Sequence, residues 1–473
     1  MKKQFTLLVL ILSLSLSVQS QISWNMGMNI ASSASGNHHP RIVTDAAGNP
    51  LVLWGNAARA MFSRWNGTAF TAPVMINPMT LNIAEGNWMG PEIASKGDTV
   101  YVVFKKIPEA DTASHIYLVR SFDGGINFSL PFRVDGLTDT ITRFPTVTTD
   151  ALGNPVVAYM TFNMGFGNAQ WAAAKSADFG STFSPSVLAS GWSSASSTVC
   201  DCCPGSIASS GSTMAMLYRD NNSNIRDMWA GVSTDAGNSF PQGIAVDQGN
   251  WMLMACPGSG PDGIIAGDTL YTVYMSGAAT TYLAWLSKTS MLTMTPSTGL
   301  TLTGPFTGLS QQNFPRIAYS GSAAAIVWTQ TVNGINQLPI LFTNNITSGF
   351  PAVPDTVDVS NITNTDAALA NGNIFVVWED DNSGTVKYRK GTFGTVGFAS
   401  PLKPGNLFSV YPNPSSGWIT VDVQKISAGK LNLKIFNSLG QMIFSDSEII
   451  SGSRRIEVSE RGIYLLRIEI RLD

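Results

Sequence analysis

Charge is what this 473-residue chain has least of. Asp, Glu, Lys and Arg make up 12% of it, where an ordinary globular protein carries about a quarter. The formal sum is −3, and it becomes −5 when Lys2 and Lys3 are set aside with the leader, so nucleic acid is excluded as a partner. Beyond residue 18 no run approaches the roughly 18 uninterrupted apolar residues of a membrane helix, so no span is expected in the mature chain. Long helical periodicity is missing too, which removes helical bundles. Cysteine is limited to four residues, and neither a cofactor nor a bound metal is expected.

What the chain does have is 44 Gly, 24 Pro and 12 Trp, the composition of an all-β protein made of many short strands and tight turns. Residues 1–20 read as a secretory signal: Lys2 and Lys3 precede an apolar run over 5–18, and Ser20 supplies a small residue at the cleavage point. The composition shifts near residue 403, because 16 of the last 71 residues are charged against 41 of the 382 from 21 to 402. With the Pro- and Gly-bearing SPLKPGNLFS, that shift separates a domain over 21–402 from a second over 403–473.

The first domain repeats itself. Ser121, Asp123, Gly125 and Phe128 in SFDGGINF recur with the same spacing as Ser176, Asp178, Gly180 and Phe183, and again as Ser233, Asp235, Gly237 and Phe240. Ser63, Gly67 and Phe70 keep the register of a weaker copy in which Trp65 replaces the aspartate. An Asp that folds back on backbone N–H groups, a Gly that accepts positive φ and an aromatic to bury specify a hairpin turn. A second marker runs in step: seven apolar runs end in Trp54, Phe104, Tyr159, Tyr218, Tyr274, Trp328 and Trp378, at intervals of 50 to 59 residues. Fixed periods of this length, each with four short strands, imply a β-propeller.

The repeated phrase resembles the Asp box of sialidase-like β-propellers, over about residues 40–400. That family normally has six blades; seven are expected here, with six as the alternative. The resemblance places the three turn phrases on outer hairpins, remote from the central channel, so their twelve named residues are read as structural. If the strands of a blade run outward from the axis, the loops from the second to the third strand, and from the fourth to the next first, share the face where ligand sites gather.

On that face VCDCCPG, residues 199–205, holds Cys200, Cys202 and Cys203, and Cys256 occupies the corresponding loop of the next unit. In an exported protein four cysteines predict two disulfides, in any of three pairings; a thiolate metal site and free thiols are the alternatives. Next comes LYRDNNSNIRDMW, in which Arg219 with Asp220 and Arg226 with Asp227 flank one loop. Arginine suits bidentate recognition of a carboxylate, and a buried Asp suits proton transfer, so Asp220 and Asp227 are the candidate acid and base. The rival reading is two salt bridges that hold the loop. Arg41 and Arg316 are further candidate substrate ligands, and Trp192 and Trp251 candidate platforms for sugar rings. The resemblance implies three arginines around a substrate carboxylate and a Tyr nucleophile with a Glu, yet Tyr159, Tyr218 and Tyr274 all sit at the repeated strand position.

The last 70 residues carry VYPNPSSGWITV, LKIFNSLGQMIF and RGIYLLRIE. Their alternation predicts half-buried strands of a small β-sandwich. In that order the phrases resemble the C-terminal sorting domain of the type IX secretion system, which implies secretion or display at the outer cell surface and the secretion machinery as a partner. The expected protein is an exported propeller that binds extracellular carbohydrate, with exo-sialidase-type hydrolysis as its extension and a non-catalytic adhesion or protein-interaction scaffold as the alternative.

Overall fold

The computed structural model describes residues 22–30, 35–86, 88–109, 114–138, 140–194, 198–279 and 281–393, then 408–411, 417–423, 430–437, 441–449, 452–457 and 465–471. The expected signal lies outside the described residues. Two compact units divide the chain, Met1–Gly394 and Thr395–Asp473.

Each apolar run that ends in an aromatic forms the second strand of an antiparallel sheet. Residues 51–54 show why these runs lack polar alternation. Leu51 and Leu53 pack with Ile93, Val102 and Phe104 of the next sheet, while Val52 and Trp54 pack with Phe375, Val377 and Tyr388 of the preceding one. A strand covered on both faces must be apolar at every position.

Among the described residues seven sheets follow in chain order. The first is Asn37–Thr44, Pro50–Asn56, Arg59–Arg64 and Val74–Met75, its strands neighbouring in sequence order. The fourth is Ser206–Ser210, Thr213–Asn221, Met228–Ser233 and Gln242–Ala245, with Thr198–Val199 added beside its second strand. Seven apolar clusters join each sheet to the next, and one of them joins the seventh back to the first, so the sheets form a closed ring. The seventh sheet takes its outermost strand from the other end of the domain: Ile22–Trp24 pairs with Thr385–Phe393, Ile22 opposite Phe393.

The three turn phrases fold alike. Asp123 Oδ1 accepts from the Ser121 hydroxyl at 2.7 Å and the Asn127 amide at 2.9 Å, and Ser121 Oγ accepts from the Gly125 amide at 2.9 Å. Asp178 and Asp235 repeat these bonds with Ser176, Thr182, Ser233 and Ser239. Gly125 has φ +80° and a Cβ there would meet the Phe62 ring at 2.4 Å, so both backbone and space demand glycine. These turns lie at the opposite sheet ends from the loops that hold Asp220 and Asp227.

In the second unit Phe408–Tyr411, Trp418–Val423 and Gly452–Glu457 form one sheet and Met442–Ile449, Lys430–Phe436 and Leu465–Arg471 another. Val421, Leu433, Ile435 and Ile456 make its core.

Candidate functional site

The first strands of the sheets pack on one another around the axis. In each, the residue paired with the position just before the strand aromatic belongs to one register: Arg41, Glu92, Thr146, Ser206, Asp262, Arg316 and Asp366. These side chains latch neighbouring sheets. Asp262 accepts from the Ile317 amide, Asp366 from the Ile42 amide, and Ser206 donates to Asp262 at 2.8 Å. Arg41 Nε lies 2.8 Å from Glu92, and Arg316 lies 3.3 Å from Asp366, 3.5 Å from Asp262 and 3.9 Å from Glu92. Burial and the Arg41 charge lower His39 to about 4, so it joins this ring as a neutral imidazole. Arg41 and Arg316 are thus engaged by three carboxylates, and the void lined by the two arginines and Glu92 measures only about 40 Å³. They act as ties between sheets.

The larger cavity lies in the fourth sheet. Its loop is built by a hairpin over residues 222–225, where Ser223 and Asn224 take φ +54° and +70°, the two left-handed positions of the tightest hairpin turns. The following loop docks on it, Ile225 pairing with Met252 and the Arg226 amide donating to the Trp251 carbonyl. Asp227 fixes that loop by accepting from the Asn250 and Trp251 amides, both at 2.9 Å. The result is a cavity of about 440 Å³ with Asp220, Asp227 and Asp247 in its lining, Trp229 as an aromatic wall and Asn222, Gln248 and Asn250 as amides. Asp220 and Asp247 are 2% and 7% exposed, and the Oδ2 of each has no hydrogen-bond partner. Burial raises Asp220 to about 6, with the Asp227 charge adding to it against the Ser193 hydroxyl and Arg226. Asp247 is raised to about 6 by burial and then by Asp227, against the Gly249 amide, the Arg219 charge and the Tyr274 hydroxyl. Asp227 is raised by burial against its two amide donors.

The cavity unites Asp220 and Asp227 as their spacing suggested, but not their arginines. Arg219 is 1% exposed and spends its guanidinium on the carbonyls of Ser259, Met275 and Arg226. It is a core arginine, out of a ligand's reach. Arg226 donates Nε to the Leu253 carbonyl. Trp251 is buried over Arg219, 5.1 Å from ring centre to guanidinium carbon, and a Cβ on Gly243 would meet the Trp192 ring at 2.7 Å, so both indoles cover sheet surface. Tyr159, Tyr218 and Tyr274 are buried between sheets, and burial lifts all three hydroxyls. The cysteines make one disulfide, Cys202–Cys256, where two were expected; Cys200 and Cys203 are thiols, buried and 2.9 Å apart. The loops entering two separate sheets supply the bridge, while the Cys200 amide donates to the Arg219 carbonyl and holds Cys200 inside.

Asp247 was not singled out from sequence. Its signal is positional: VDQGN follows the fourth strand of a unit, on the same face as the RD loop. Glu92, Asp262 and Asp366 were likewise legible only after alignment of the first strands.

A ring of antiparallel sheets around a polar axis defines a β-propeller. Residues 409–472 match the family model described as secretion system C-terminal sorting domain, so the propeller is exported, secreted or held at the outer surface, and its tail addresses the secretion machinery. No curated protein matches the chain. Among solved structures it is similar to a protein of unknown function from Dyadobacter fermentans, at 9% identity over 79% of this chain and 99% of that one, TM-score 0.49. An α-L-arabinofuranosidase from Fusarium graminearum shows 12% identity over 68% and 98%, TM-score 0.45. A sialidase from Streptococcus pneumoniae shows 12% identity over 79% and 70%, TM-score 0.42. No helix of the described residues is long and apolar enough to cross a membrane.

Proposed function

We propose that this exported propeller binds extracellular carbohydrate in the fourth-sheet cavity, with Asp220 and Asp247 as the groups that meet the sugar. The observation that carries it is the pair of buried carboxylates, Asp220 and Asp247, that line one cavity of about 440 Å³ beside Trp229. That volume falls in the range of small-molecule sites, roughly 300–1,000 Å³. Carboxylates and amides suit sugar hydroxyls, and an indole face suits a pyranose ring. A carboxyl held near 6 also keeps a proton for a glycosidic oxygen in mildly acidic water. Exo-sialidase chemistry has no support in this cavity, because none of Arg41, Arg219, Arg226 and Arg316 lines it.

A glycan array and a glycosidase substrate screen of the exported chain test the reading. Binding should weaken about tenfold or more in the Asp220→Asn, Asp247→Asn double variant, the loss of two charge-assisted hydrogen bonds, while Trp88→Ala, in the lining of the small void beside Arg41 and Arg316, leaves it unchanged. Any hydrolysis should decline as pH rises through about 6. The saturated axis favours a second reading, a non-catalytic scaffold. A wild-type chain that binds no glycan selects it.

A further inference from the structure

The carbohydrate reading leaves the cysteines unused. Cys200 Sγ lies 2.9 Å from Cys203 Sγ and 3.6 Å from Cys202 Sγ, and Cys202 is bonded to Cys256 of the next sheet's loop. All the partners of an exchange reaction are therefore in contact. Cys200 and Cys203 are buried, whereas Cys256 is exposed, so the outer bridge faces solvent and the dithiol behind it does not. The two thiols differ as an attacking and a resolving thiol do. The hydrogen bond with Cys203, then Arg219 and Arg226, draw Cys200 down against its burial, and burial pushes Cys203 up.

We propose that the four cysteines form an internal thiol–disulfide exchange couple, in which the buried pair and the Cys202–Cys256 bridge trade one bond and so tether or free the loop that carries Cys256. The Cys200 thiolate attacks Cys202 Sγ; the new bond is Cys200–Cys202, and Cys256 leaves as a thiolate and takes up the proton Cys200 lost. Cys203 then attacks Cys200 Sγ, forming Cys200–Cys203, and Cys202 leaves with the proton Cys203 gives up. One disulfide and two thiols stand on each side, so neither oxidant nor reductant is consumed. The freed loop holds Asp247 and Asn250 of the cavity and the Ser259 carbonyl that receives Arg219. The couple is thus a means of loosening one cavity wall, and it stands on the cysteine geometry whether or not a sugar binds there.

The test uses the full chain purified without reductant, pulsed with N-ethylmaleimide under native conditions, quenched in acid and mapped by mass spectrometry. Two thiols per chain are expected, with label on Cys256 and a Cys200–Cys203 disulfide in the same molecules. Cys200→Ser should label Cys256 about tenfold more slowly or worse, because exchange needs the attacking thiolate. Cys203→Ser should still label Cys256 but stop at a Cys200–Cys202 bond. This second variant decides the matter if the first fails to fold. Wild-type Cys256 that never labels, equal labelling in Cys200→Ser, or a count of none or four thiols overturns the proposal.

Discussion

A single carboxylate can serve the fold or oppose it, and its hydrogen bonds decide which. Desolvation acts to raise Asp123, but the Asn127 amide and the Ser121 hydroxyl bring it down to about 2, below the ordinary 3.8. The Thr182 amide and hydroxyl hold Asp178 at about 2 as well. A depressed folded value means the folded chain binds fewer protons than the unfolded one, so this stability is present above about pH 4 and lost as pH falls towards 2. Asp220 and Asp247 run the other way. Raised to about 6, they bind more protons when folded, so their contribution is full below about pH 4 and lost as pH rises through 6. Asp220→Asn should therefore raise the melting temperature more at pH 7 than at pH 4; an equal change at both would show that the burial cost is not electrostatic. Gly125→Ala should cost about 2 kcal/mol or more, since left-handed φ penalises a Cβ by about 1–2 kcal/mol even without the Phe62 collision. Chemical denaturation measures it, and a loss under about 0.5 kcal/mol would mean the turn relaxes.

At the scale of the element, one strand of the seventh sheet carries none of the periodic markers. Ile22–Trp24 has three residues and no turn phrase, yet it completes the seventh sheet and buries Ile22 with Val357 and Phe393. Without it the 385–393 strand becomes an open edge with its apolar flank in water. A chain lacking residues 22–30 should melt several degrees lower and expose tryptophan to quenchers. An unchanged melting curve would show that the apolar clusters alone close the ring.

For the whole molecule, the axis ring concentrates the long-range order. Arg316 connects carboxylates from the second, fifth and seventh sheets, so its removal leaves Asp262 and Asp366 without their guanidinium in a confined space, while Arg41 still holds Glu92. Arg316→Ala should cost about 3–5 kcal/mol, the scale of breaking a buried charge cluster, and equilibrium unfolding reads it directly. A variant that also carries Asp366→Ala should recover part of that loss, and no recovery would place Arg316's role in packing rather than charge. The second unit bears on destination: its match to the sorting family makes export a property of the tail, separate from whatever the cavity holds.

Much of the fold was present in one dimension because a repeat states its pattern many times. Runs such as PLVLW and IFVVW declared strands buried on both faces, and SxDxGxxF declared turns whose bonds are local in sequence. The RD loop was found for the same reason, since strand ends and faces follow from topology. The fate of its arginines was not legible: Arg219 meets carbonyls 40 and 56 residues away, and Arg41 meets a carboxylate 51 residues away. Nor was the cysteine pairing, which depends on two sheets bringing residues 202 and 256 together. Sequence alone determined the strands, the turns and the export signal of the tail, because those are set by neighbours along the chain. Only the tertiary structure decided which charges cancel and which carboxylates line a cavity, because a buried charge is defined by what packs around it.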